Sequence, residues 1–299
     1  MPKKIGLMHS GRSASHAHDD HIRAFKAGAN LAYVGGGGAL TFANEQFGED
    51  DPSQLPIIAQ ALAQDNTVDL IAAMGGSASA DAARGKTTVK PIVFTSVSAP
   101  NRPALNTTGV CARTSELDRD RLKVLFQLKP NAQKFGALIN PDRSNILAVM
   151  DALNQTATSM GYPPPNYQTA RFGSAANDVT NAFQFWHNNQ YAAVIVTADP
   201  LFHDRRVDVA GAANNNMMPT IYQWRDFVDN QGLISYGPNL TACYRFAGYY
   251  AGEILNGEAV LNLPIITPAC ELVINLTIAK RINCDIPTQL LNQATDIII

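Results

Sequence analysis

Short, nearly continuous apolar runs recur along the chain: Ile5 to Met8, Val68 to Ala73, Pro91 to Phe94, Phe135 to Ile139 and Ala192 to Val196. Each is bounded by turn residues and none alternates apolar with polar, so they predict strands buried on both faces of a parallel sheet. Between and beyond them, His21 to Ala32, Gln54 to Gln64, Ala78 to Arg84, Asp118 to Leu128, Ile146 to Met160 and Asn177 to Asn188 carry apolar residues near helical spacing. Strand alternating with helix predicts right-handed βαβ units in a doubly wound α/β sheet, whose ligand site lies beyond the carboxyl ends of the strands.

The pattern restarts near Arg113, where a helix beginning near Thr114 leads into a new series opening with Phe135-Gly136-Ala137-Leu138-Ile139. Two comparable lobes follow from this. The segment from Gly232 onward supplies a strand, the helix Leu240 to Leu255, a strand near Glu271 to Asn275 and a terminal helical stretch, and it is expected to cross between the lobes. The expected division is 1–114 with 238–262 for lobe 1, and 115–237 with 263–299 for lobe 2.

Composition narrows the chemistry. A chain of 299 residues suffices for two ordinary domains, and a formal net charge of -2 with no run of like charges argues against a nucleic-acid partner. The sequence holds no stretch of about 20 apolar residues of the kind that spans a bilayer. Cys111, Cys243, Cys270 and Cys284 form no Cys-x-x-Cys pair. A Cys270–Cys284 disulfide and buried thiols both stay open, thiols being the commoner outcome. His16, His18 and His21 flank Asp19 and Asp20 without a metal-ligand spacing, and the acids suit the first turn of a helix, so no metal is expected. The glycine run Gly35 to Gly38 opens no helix and reads as a loop, not a dinucleotide fingerprint. With no Gly-x-Ser-x-Gly elbow and no Walker lysine motif, neither an enzyme nor a cofactor is expected.

The chemistry-bearing residues gather where strands hand over to helices. In the first lobe these are Ser10, Gly76 and Ser77 in the Gly75-Gly76-Ser77 turn, and Ser96 and Ser98. Such a turn at a helix start can hold a carboxylate, or Ser77 can simply cap its helix. In the second lobe they are Asn140 followed by Pro141 and Ser144, then Asp199, Phe202, Tyr222 and Tyr236. Asp199 before Pro200 suits an N-cap with proline at the first helical position, and equally a partner for a ligand amine. Phe202, Tyr222, Trp224 and Tyr236 could cover a flat apolar ligand or serve as core. The ligand expected is a small molecule with a carboxylate-like acceptor and an apolar body, amino acids ranking above sugars.

Several blocks in order, among them Val68-Asp69-Leu70-Ile71-Ala72-Ala73, Lys90-Pro91-Ile92-Val93-Phe94, Thr108-Gly109-Val110, Ala198-Asp199-Pro200-Leu201-Phe202, Pro219-Thr220-Ile221-Tyr222 and Gly232-Leu233-Ile234-Ser235-Tyr236-Gly237-Pro238-Asn239, carry a resemblance. The chain resembles the solute-binding proteins of bacterial ABC transporters, in the group with tryptophan- and other aromatic-amino-acid-binding members. The Ser98 to Thr107 connection is shorter than usual in that family, and Ser77-Ala78 stands where a proline is often found. The resemblance implies a type I periplasmic-binding fold: two lobes joined by three crossovers that hinge shut around a solute, in the manner of a Venus flytrap. It further implies a monomer handing its solute to a membrane permease of an ABC importer, in a periplasmic or extracytoplasmic location. Met1 to Ile5 runs straight into a strand with no apolar signal core, so the expectation from the residues alone is either a cytoplasmic protein or a mature form whose export peptide has been removed. The alternative on the same fold is a ligand-binding sensor domain passing closure to a signalling partner.

Overall fold

The computed structural model describes residues 2–15, 18–35, 38–49, 51–98, 105–143, 145–171 and 177–299. His16, Gly36, Gly37, Ser144 and positions 99–104 of the Ser98 to Thr107 connection lie outside the described residues. The chain forms two compact units, Met1–Arg113 with Asn239–Pro268 and Thr114–Pro238 with Ala269–Ile299, and passes from one to the other three times.

In the first unit, strands β1 (Lys3–His9), β2 (Leu40–Phe42), β3 (Gln46–Phe47), β4 (Leu70–Met74), β5 (Ile92–Val97) and β6 (Thr107–Cys111) form a parallel sheet. Its order is β2-β1-β4-β5-β6, with β3 pairing the later part of β1. The unbroken burial of β4 has a simple cause: its side chains alternate between two apolar layers. Leu70, Ala72 and Met74 pack with Phe25 and with Cys243, Tyr244 and Ala247 of the helix Leu240–Leu255. Ile71 and Ala73 pack with Leu55, Ala59 and Ala80 from the helices Leu55–Gln64 and Ser77–Arg84 on the other face.

The entry to this sheet is pinned electrostatically. Partial burial tends to raise the Asp69 carboxyl, but the Lys3 ammonium at 2.8 Å and the Lys4 amide at 2.9 Å outweigh it and hold it below the usual carboxylate range. A carboxylate lowered in the folded state stabilises above its unfolded pKa, and the contribution is lost as pH falls through the folded value. Urea unfolding of Asp69→Asn is therefore expected to depend less steeply on pH than the parent below about pH 4.

The second unit carries β7 (Phe135–Ile139), β8 (Asn166–Thr169), β9 (Ala193–Val196), β10 (Thr220–Tyr222), β11 (Ile234–Pro238), β12 (Cys270–Asn275) and β13 (Asp296–Ile298), in the order β13-β12-β11-β10-β9-β7-β8. All neighbours are parallel except β11 and β12. One face buries Phe135, Ala137, Ile195, Ile221 and Ile234 against Leu122 and Leu125 of the helix Thr114–Leu128 and Val149 and Leu153 of the helix Ile146–Ser159.

The two sheets rich in parallel strands and flanked by helices are those the apolar runs predict. The tail departs from expectation: its terminal helical stretch is two short helices, Leu276–Arg281 and Thr288–Gln293, followed by β13. Cys284 is a buried free thiol, so no Cys270–Cys284 disulfide forms. Among the described residues no helix is long and apolar enough to cross a membrane.

Candidate functional site

Because β1, β4 and β5 run parallel, their carboxyl ends share one rim of the first unit. All five predicted residues of this lobe sit there, half-buried. The Ser10 hydroxyl donates to the Gly75 carbonyl at 2.7 Å, and the Gly75 amide reaches Thr95 Oγ1 at 3.4 Å. Gly75 and Gly76 have φ of +85° and +113°, and a Cβ on Gly75 would run into the Ser10 hydroxyl and the His9 ring, so the turn requires glycine. Gly76 takes the N-cap position of the helix Ser77–Arg84 and has no side chain to cap it. Ser77 is the first helical residue rather than that cap. Its hydroxyl lies 3.0 Å from the Ser98 hydroxyl and accepts from the Ser98 amide at 3.1 Å.

Ser96 is held at φ +58°, where the register between β5 and β6 shifts. Its hydroxyl is buried and has no hydrogen-bond partner among the described residues. A left-handed serine costs conformational energy, and such strain concentrates at sites where a side chain or amide must be aimed. Beside this rim His9 is fixed: its Nδ1 accepts from the Gly11 amide at 2.9 Å, so in the neutral ring Nε2 carries the proton toward the Tyr244 hydroxyl at 3.1 Å.

The second unit has its own rim. Asp199 follows β9 and caps the helix Pro200–Asp204, its Oδ1 accepting from the Leu201 amide at 3.0 Å with Pro200 in the first turn. The same oxygen accepts from Asn140 Nδ2 at 3.2 Å, which joins the ends of β7 and β9. Burial raises the Asp199 carboxyl above the usual range, opposed by the charge of Arg143 and the Asn140 bond. Asp199→Ala is expected to cost about 1 kcal/mol of unfolding free energy through the lost cap, and Asp199→Asn much less, as read by thermal melts.

Phe202 and Tyr222 are fully buried, and Tyr222 stacks on Phe227 with centroids 4.7 Å apart and planes 12° apart. Burial pushes the Tyr222 hydroxyl above its usual pKa. Tyr236 is half-buried and packs against the apolar core of this unit.

Two features of this rim were not among the predicted site residues. Asp118 and Arg121, on the helix Thr114–Leu128, form a buried ion pair at 2.7 Å, their side chains 1% and 0% exposed. Arg121 also donates to the carbonyls of Tyr236 at 2.7 Å, Thr114 at 3.4 Å and Gln223 at 3.4 Å. Asp118 accepts from the Ala198 amide at 3.3 Å, so one pair ties together the chain leaving β9, the chain leaving β10, and β11 itself. Burial pushes the Asp118 carboxyl up, against the charges of Arg121 and Arg143. The second feature is Gln223, fully buried with neither amide heteroatom hydrogen-bonded among the described residues. The Asp118–Arg121 pair had a sequence signal: Asp118, Arg121, Leu122 and Leu125 share one helical stripe, which places the charges on the inward face.

Comparison with known proteins bears on this arrangement. The profile of the ABC transporter substrate binding protein family matches residues 41–298. A tyrosine-binding protein of Clostridioides difficile is 27% identical over 255 residues, covering 80% of this chain and 69% of that protein. A conserved domain protein from Vibrio cholerae superposes with a TM-score of 0.83 at 21% identity, over 99% of this chain and 100% of the other. An ABC domain from Streptococcus pneumoniae in complex with L-Trp superposes with a TM-score of 0.79 at 18% identity, again over 99% and 100%. Those two structures share the fold, and the family match spans most of the sequence: this chain belongs to the ABC transporter substrate binding protein family.

Proposed function

We propose that the chain captures an amino acid or aromatic carboxylate between its two units, closes on it by hinge motion, and hands it to the membrane permease of an ABC importer outside the cytoplasm. The observation that carries this reading is the hydrogen-bonding capacity left at both carboxyl rims, with the Ser96 hydroxyl on the first unit and the Gln223 amide on the second both buried and unpartnered among the described residues. Buried polar groups without partners cost stability, and a ligand that supplies them recovers it. On the first rim, hydroxyls and the helix start at Ser77 suit a carboxylate. On the second, Asp199 beside Asn140 suits an amine.

The tyrosine-binding relative and the L-Trp-bound fold neighbour support an amino acid as the solute class. Isothermal titration with the common amino acids is expected to find at least one binder, and small-angle scattering to show the radius of gyration falling when it is added. Native mass spectrometry would identify a co-purified solute. Binding of a neutral sugar with no response to any amino acid would overturn the ligand class. Tight binding without contraction would overturn the closure.

A further inference from the structure

We infer that Gln223 is a specificity-determining residue of the second unit, reading a neutral ligand group that both donates and accepts hydrogen bonds, such as a hydroxyl or carboxamide. The inference rests on the solute-binding reading and names which chemical feature of the solute is selected. Gln223 directly follows β10, and its backbone carbonyl is held by Arg121. The main chain is thereby fixed while the side-chain amide, with no exposed surface, finds no partner for either Oε1 or Nε2 among the described residues. A carboxamide offers two N–H donors and a carbonyl acceptor, so leaving both ends unmatched is unfavourable unless something else matches them.

The surroundings fix the charge of that something. Arg121 is already paired with Asp118 at 2.7 Å, so a neutral group fits beside Gln223 better than a second ion. Polar capacity continues on both sides. The Trp224 indole N–H and the Ser235 hydroxyl are also buried and unpartnered among the described residues, and Ser235 pairs across the sheet with Tyr222, next to Gln223. A site built to bond a hydroxyl rejects the analogue that lacks it more strongly than an apolar pocket rejects an extra methylene, because its own polar groups are left unpaired. Among aromatic amino acids, L-tyrosine meets the requirement, L-phenylalanine does not, and L-tryptophan supplies a donor only.

The test is calorimetric binding of L-tyrosine, L-phenylalanine and L-tryptophan to the parent protein and to Gln223→Met, which keeps length and loses both polar ends. The parent is expected to prefer tyrosine over phenylalanine by at least about tenfold. Gln223→Met should lose that preference by weakening tyrosine while phenylalanine stays within about threefold; a merely structural role would weaken both alike. An unchanged tyrosine-to-phenylalanine ratio in the variant overturns the assignment and leaves the solute-binding reading intact. A parent that binds none of the three overturns the assignment, whereas the solute-binding reading falls only if the other common amino acids also fail to bind. If the variant does not fold, the parent alone decides, because equal affinity for tyrosine and phenylalanine refutes a hydroxyl-reading amide.

Discussion

Replacing Arg121 by methionine is expected to destabilise the second unit by about 3–5 kcal/mol, the range for removing one partner of a buried ion pair. The guanidinium is 0% exposed, and its removal leaves the Asp118 carboxylate buried with the Ala198 amide as its one remaining bonded partner among the described residues. Three main-chain carbonyls, those of Thr114, Gln223 and Tyr236, each lose a side-chain donor at the same time. The double variant Asp118→Leu with Arg121→Met separates the two contributions, since it removes the stranded charge. It should recover a large part of the loss, as apolar replacements of whole buried pairs often do. Urea unfolding of the parent, both single variants and the double variant gives the coupling energy directly. A loss under about 1 kcal/mol for Arg121→Met, the size expected of a surface pair, would refute the structural role assigned here.

The same pair shows what local sequence conveys and what it withholds. Thr114 to Lys123 is rich in charge, and a charge-rich helix ordinarily faces solvent. Only the helical stripe shared with Leu122 and Leu125 points the other way. Strands that are buried on both faces announce themselves: Leu70 to Met74 and Phe135 to Ile139 are unbroken apolar runs because both faces of each are covered. The edge strand β8, Asn166–Thr169, has no such signature, since its side chains are mostly half-buried and β7 recruits it through backbone pairing. β13 is short and half-exposed for the same reason.

The rim residues are legible as a class and illegible as a network. Small polar residues after strands are visible in the sequence, but the Ser77–Ser98 contact joins positions 21 apart that only the pairing of β4 with β5 brings together. Positive φ at Ser96 likewise follows from the register shift beside it, which no residue pattern announces. In Tyr222-Gln223-Trp224 the aromatic residues attract attention as a ligand wall. The structure places Tyr222 in a stack with Phe227 and leaves the unspent hydrogen bonds on the glutamine between the two aromatics and on the Trp224 indole.

In the first unit the corresponding large effect comes from backbone proximity rather than charge. The helices Asp19–Ala32 and Leu240–Leu255 meet at glycines: a Cβ on Gly28 would land on the Arg245 carbonyl oxygen, and a Cβ on Gly248 would land on that of Phe25. Both obstacles are main chain, which cannot rotate away as a side-chain tip could, so the helix axes must separate to admit a methyl group. Separation would loosen the layer in which Phe25 and Ala29 meet Tyr244, Ala247 and Ala251. Gly28→Ala and Gly248→Ala are each expected to lower unfolding free energy by about 2–3 kcal/mol, although alanine is the better helix former by about 1 kcal/mol. Gly211 in the helix Arg206–Asn215 is the control, because a Cβ there meets nothing within 4 Å. Gly211→Ala should therefore stabilise, by up to about 1 kcal/mol. Denaturant midpoints for the three variants decide the point: if all three shift upward together, helix propensity governs and the close approach of the two helices does not.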